Sequence, residues 1–198
     1  MEFRLVYKGR LPAESSGDSR SREKHEARKQ FHKQLAVLWR EHPYLSKALI
    51  GGRMQNDPRS EVERIADNYS RCGGRFVPMV NKQWSLGCAL DILFLRRDEP
   101  GGVVKHGGDI DNRIKVLFDG LRMPDSTAEL GGLPIDVDEN PFFCLLEDDR
   151  LITEVNITTD KLLLPRDTTE HIHEVLLIIK AKTVVLNDGP FPVARVGW

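Results

Sequence analysis

Apolar and polar residues alternate at the start of the chain, where Phe3, Leu5 and Tyr7 are set between Arg4, Val6 and Lys8. That two-residue period predicts a strand, and the Gly9 to Gly17 stretch, with Pro12 and two serines, predicts the loop that ends it. From Ser21 to Arg40 the period lengthens, and Ala27, Phe31, Leu35 and Leu38 recur at helical spacing. Gly51-Gly52 and Asn56-Asp57-Pro58 interrupt the pattern before Val62, Ile65, Ala66 and Tyr69 resume it as a shorter helix closed by Gly73-Gly74. Ser85 to Leu95 is apolar on both faces, as a central strand is. A loop from Asp98 to Gly108, with Pro100 and two Gly-Gly pairs, leads to a helix over Asp111 to Leu121. Its stripe of Ile114, Leu117, Phe118 and Leu121 is one helical face. Arg122 to Phe143 is polar and broken by Gly and Pro, which predicts an excursion longer than a turn. Leu151 to Ile157 and Glu174 to Lys182 predict two more strands around a loop at Asp160 to Glu170. The tail at 187–198, with Pro190, Pro192 and Gly197, predicts irregular structure.

These elements predict an α/β (α+β) fold in a single domain over 1–198, a small mixed sheet carrying packed helices. A chain of 198 residues suits one domain with a real core. Hydrophobic residues make up 40% and charged residues 30%, with no apolar run near the ~20 residues a membrane helix needs. The first residues read as a strand rather than a signal peptide, so the expected location is cytoplasmic. Cys72, Cys88 and Cys144 are odd in number and far apart, which argues for free thiols rather than a disulfide framework or zinc ribbon.

A net charge of -1 gives no global pull toward nucleic acid, so DNA contacts must come from local clusters. Arg22, Lys29, Lys33 and Arg40 fall on one side of the first helix and are the candidates, with His106 in the loop before the 111–121 helix. Each also fits an ordinary solvated position. Trp39, Trp84 and Trp198 fit packing before base stacking. The His171-Ile172-His173 run fits a polar strand edge before a metal site. Asp136 to Glu147 imitates a calcium loop by spacing, but Pro141 stands where that loop needs Gly.

Two acidic runs carry the candidate chemistry. Asp109-Ile110-Asp111-Asn112-Arg113-Ile114-Lys115 opens the 111–121 helix, and Glu147-Asp148-Asp149 follows the excursion. Taken alone, an Asp at a helix start is a cap, and Asp111 with Lys115 is an i,i+4 pair worth about 0.3–0.5 kcal/mol. Gathered carboxylates also repel one another, and Mg²⁺ relieves that repulsion through oxygen ligands.

The first run, continuing to Phe118-Asp119-Gly120-Leu121, resembles the RusA-like Holliday-junction resolvases, whose pattern is Asp-x-Asp-Asn-x-x-Lys with Phe-Asp-x-Leu behind it. In that family an Asp-Asp pair then opens a strand, and here Asp148-Asp149-Arg150 stands directly before Leu151-Ile152-Thr153-Glu154-Val155. The stretch between, 122–147, is longer than the family's usual link. The resemblance implies that Asp109, Asp111 and Asp149 hold metal, that Lys115 is the catalytic lysine, and that Asp148 and Asn112 have secondary roles. It implies Mg²⁺, with Mn²⁺ as a substitute, and hydrolysis of phosphodiesters in branched DNA, foremost the four-way junctions of recombination and repair. It also implies a homodimer, since two opposed nicks need two active sites. Two alternatives stand beside it: a DNA-binding protein of the same fold whose acids serve as caps, and a nuclease for other branched substrates.

Overall fold

The N-terminal alternation forms β1 (Glu2–Arg10), and the long helical stripe forms α1 (Gly17–Glu41), followed by the single-turn α2 (Leu45–Ala48) and α3 (Glu61–Asn68). Next come β2 (Ser70–Arg71), β3 (Gly74–Val80), β4 (Leu86–Arg96), α4 (Ile110–Leu121), β5 (Phe142–Leu146), β6 (Ile152–Lys161) and β7 (Glu174–Val185). This computed structural model describes residues 1–11, 17–51, 57–97, 110–163 and 174–186. Asp109, His106, the His171-Ile172-His173 run, Trp198 and the 187–198 tail lie outside the described residues. Among the described residues, no helix is long and apolar enough to cross a membrane.

The fold is mixed α+β. One sheet has the order β1-β7-β4-β6, with β7 antiparallel to both neighbours and β6 parallel to β4. A parallel pair needs a crossover, and α4 lies within it. Alternation puts Leu5 and Tyr7, Leu90, Ile92 and Phe94, and Leu177 and Ile179 on one buried face. A second sheet, β2-β3-β5, shares the same core with α1, α3 and α4. Each buried Leu, Ile or Phe contributes about 1.5–3 kcal/mol. Helix α3 starts at Ser60, whose hydroxyl accepts from the Glu63 N–H at 3.1 Å while the Glu63 carboxylate accepts from the Ser60 N–H, a capping box.

Three strands are absent from the periodic pattern: the two-residue β2, β3 and β5. Pro78 argues against a strand at β3, but β2 pairs β3 only at Gly74 and Arg75, so a residue without an N–H is tolerated further along. β5 is five consecutive buried residues, an apolar run without alternation at the end of a polar stretch. It pairs in parallel with β3 and leaves the excursion shorter than its polar composition predicts.

The excursion folds back onto α1. Its 3₁₀ turns are Thr127–Leu130 and Val137–Glu139. Arg28 of α1 is fully buried beneath it, and Lys29 pairs with Asp136 and Glu139 at 2.8 Å each. Gly131, at φ 58°, lies against the Arg22 backbone with no room for a Cβ. On the next turn of the interface α1 meets α4 through Ala27 and Gly120, where a Cβ at Gly120 would lie 3.1 Å from that of Ala27.

The same clasp contains a buried histidine. His25 is fully buried and its Nδ1 lies 3.1 Å from the Arg28 guanidinium. Burial, reinforced by the charges of Arg28 and Lys29, pushes its pKa down from 6.5 to about 4. Between those values the unfolded chain binds a proton that the folded chain refuses, so the stability present above pH 6.5 is lost as the pH falls toward 4. Urea midpoints measured across that window should fall with decreasing pH, and a His25→Gln variant should show a shallower fall. An equal slope in both proteins would remove His25 as the cause.

Candidate functional site

Asp111 lies in the first turn of α4, where the unpaired N–H groups and the helix dipole favour a carboxylate. One turn on, the Lys115 ammonium stands 3.9 Å from the Asp111 carboxylate, with the two side chains 72% and 58% exposed. Both groups therefore face solvent at one end of the helix, and Asn112 beside them is half-buried. Asp109, the remaining carboxylate of this run, falls outside the described residues.

The second acidic run sits where β5 ends. Glu147 donates its N–H to the Val80 carbonyl at 2.9 Å, and its carboxylate accepts from the Lys82 N–H at 2.8 Å and the Tyr69 hydroxyl at 3.2 Å. The Lys82 ammonium lies 3.7 Å from Glu147 and 3.5 Å from Asp148. Asp148 caps the 3₁₀ turn Asp149–Leu151, accepting from the Arg150 N–H at 3.0 Å and from its side chain at 3.2 Å. Those Arg150 donors hold the Asp148 carboxyl down at about 2. Asp149 is shifted the other way, by burial and by the Asp148 carboxylate bonded to it. Two carboxylates so close cannot both ionise freely, and a cation would relieve them.

The two acidic runs come to the same helix at different levels. The Met123 N–H donates to the Leu146 carbonyl at 3.0 Å, which ties the start of the second run to the C-terminal end of α4. Asp149 accordingly feels the charges of Arg122 and Asp119, past Lys115 along the helix. An α-helix rises 1.5 Å per residue, so Asp111 and Asp119 are about 12 Å apart along its axis. The structure thus unites Asp111 with Lys115, and Asp148 with Asp149. Among the described residues, no three His, Cys, Asp or Glu side chains are placed to hold a metal ion. The donor chemistry suits Mg²⁺, which keeps several waters and takes one or two carboxylates.

The basic face of α1 is partly consumed by structure. Lys29 is held between two carboxylates of the excursion, and Arg22 pairs with Glu26 at 3.1 Å. Lys33 is exposed, and so is Arg40, whose Nε donates to the Ala36 carbonyl at 3.2 Å. Trp39 is buried and Trp84 half-buried, as packing residues are. Sequence reasoning missed Lys82 and Tyr69, which reach Glu147 from the α3 end and the β3–β4 turn. No spacing signal joins them to residues more than sixty positions away. No protein-family profile, curated protein or solved structure matches the chain.

Proposed function

We propose that the chain is a Mg²⁺-dependent endodeoxyribonuclease that hydrolyses phosphodiesters in branched DNA, with the four-way junction as its foremost substrate. The observation that carries this reading is the hydrogen-bonded Asp148-Asp149 carboxyl pair, tied by the Met123–Leu146 backbone bond to the helix that bears Asp111 and Lys115. The order of these parts is that of the RusA-like resolvases.

In this reading Asp109, Asp111 and Asp149 hold the metal, and Asn112 and Asp148 steady its ligands. A bound Mg²⁺ supplies Lewis-acid polarisation of the phosphate and a lowered pKa for the attacking water. Lys115, exposed on α4, meets the negative charge that develops on the phosphate. Lys82 lies between Glu147 and Asp148 and limits the net charge of the acidic pocket that DNA must approach. Arg22, Lys33 and Arg40 offer contacts to flanking phosphates, each adding to the salt dependence of binding. Carboxylates that share one ion must meet, so this function requires Asp111 and Asp149 to converge at the side of α4.

A second reading has its own observation. Asp148 already caps a 3₁₀ turn, and Asp149 feels the charges of Arg122 and Asp119 at the far end of α4. Acids employed in that way suit a DNA-binding protein of the same fold without catalysis. Incubation with a labelled four-way junction separates the two: the nuclease nicks it with Mg²⁺ or Mn²⁺ and stops with chelator. Binding without nicking supports the second reading, and equal cutting of linear duplex removes the preference for branched DNA.

A further inference from the structure

The four-stranded sheet has two edges, β1 and β6, and among the described residues side chains close only the first. Along β1 the Gln34 amide accepts from the Val6 N–H at 2.9 Å and donates to the Val6 carbonyl at 2.7 Å, and Gln30 donates to the Lys8 carbonyl at 3.2 Å. Helix α1 thereby supplies hydrogen bonds that another strand would otherwise make. At the opposite edge β6 pairs only with β4. There the Leu162 N–H donates to the Arg96 carbonyl at 2.6 Å, so alternate residues back along the strand, Asp160, Thr158, Asn156 and Glu154, turn their backbone groups to β4. The N–H and C=O groups of Val155, Ile157 and Thr159 therefore point outward, and among the described residues no hydrogen bond reaches them. The row stops at Lys161, whose N–H donates to the Asp160 carboxylate at 2.7 Å. Edge strands are commonly blunted by Lys or Pro, and β6 has neither before Lys161.

The side chains beside this edge define what fits it. A strand laid ~4.8 Å beyond β6 places its side chains alternately on the two faces of the sheet. On the core face its neighbours are Val155, 41% exposed, and Ile157, half-buried against the core. On the outer face they are Glu154, Asn156, Thr158 and Asp160, and behind them Asp91 of β4 accepts from Asn156 at 3.1 Å. The cation of β6, Lys161, falls on the core face at the far end by the same alternation. Lys180 and Lys182 of β7 stand on the outer face beyond β4, and Lys180 pairs with Glu2 at 3.2 Å. A complementary strand is thus apolar at one set of alternate positions and basic at the other. A second β6 is a poor match: paired antiparallel about Ile157 it sets Glu154 opposite Asp160, and like charges so placed repel.

We infer that the β6 edge takes up an extended segment of another protein, apolar and basic at alternate positions, as an added strand. The inference involves neither Asp111 nor the Asp148-Asp149 pair, so it holds whether or not the protein cuts DNA. A fluorescein-labelled seven-residue peptide of alternating Lys and Val is the probe, read by fluorescence anisotropy against the full chain. Saturable binding is expected. Antiparallel addition, the more stable pairing, turns the peptide's valine N–H groups to β6, so methylating those nitrogens should abolish binding. In the protein, Val155→Pro removes an outward donor and leaves the β4 ladder intact, and should weaken binding about tenfold or more. Glu154→Lys/Thr158→Lys alters only exposed outer-face side chains, and should reject the Lys-Val peptide and accept its Glu-Val counterpart. No saturable binding by the unaltered protein overturns the inference, as does equal binding of the methylated peptide or an unchanged preference in Glu154→Lys/Thr158→Lys. A doubled mass in light scattering that Val155→Pro returns to the single-chain value also overturns it, because β6 is then already paired with a second copy.

Discussion

Replacing Asp111 with Asn is expected to abolish metal-dependent nicking of a four-way junction, by about a thousandfold or more, in a protein that remains folded. The activity loss follows from the task assigned to the carboxylate. A metal ion contributes several kcal/mol of charge stabilisation to phosphoryl transfer, and each ~1.4 kcal/mol is a factor of ten in rate. The fold survives because the Asp111 side chain is more than half exposed. Its structural share is the favourable charge at a helix start, about 0.3–1 kcal/mol, and the pair with Lys115, about 0.3–0.5 kcal/mol. Gel assays of nicking, with urea melts as the control for folding, measure the two effects independently. Full activity in Asp111→Asn would sink the metal-ligand role, and Lys115→Met should lower the rate without changing the metal concentration needed for half-maximal cutting.

The largest effect on stability is expected at Arg28. Its guanidinium is buried and donates to the carbonyls of Asp119 at 2.7 Å, Arg122 at 2.9 Å and Glu129 at 3.4 Å. The Asp119 carbonyl is one of the last-turn acceptors of α4, which the helix itself leaves unpaired, so a side chain from α1 completes the helix end. Arg28 also lies 3.7 Å from the Glu129 carboxylate, and the neighbouring Arg122 pairs with Asp119, Asp125 and Glu129. An Arg28→Met variant keeps the volume and removes every donor. Breaking one partner of a buried ionic network costs about 3–5 kcal/mol, a large share of the 5–15 kcal/mol typical of a whole domain. The urea midpoint should drop accordingly at constant slope. A change within about 1 kcal/mol would show that water replaces the guanidinium at those carbonyls.

Helices α1, α3 and α4 and strands β1, β4, β6 and β7 were legible from periodicity because each buries one face or stripe. β3 and β5 were not, for opposite reasons. Pro78 disguises β3, and its tolerance depends on how short β2 is, a property of another segment. β5 is buried on both faces and so carries no alternation to read. The excursion at 122–147 reads as open and polar, yet its acids are counter-ions for Lys29 and Arg28, and its carbonyls are acceptors for Arg28. Lys29 looked like a phosphate contact because a helical wheel shows which side a charge is on and not which segment comes to meet it.

By itself the sequence determined the elements that bury one face or stripe, the mixed α+β class and the two acidic runs, because strand period, helix stripe and neighbouring carboxylates are set by residues within a few positions of one another. Tertiary structure alone decided which charges meet. It brought Lys82 and Tyr69 to Glu147, and tied the Asp148-Asp149 pair to the C-terminal end of α4 while Asp111 opens its N-terminal end. Electrostatic interaction falls off with distance in space, and distance in space between remote segments is fixed only when the core packs.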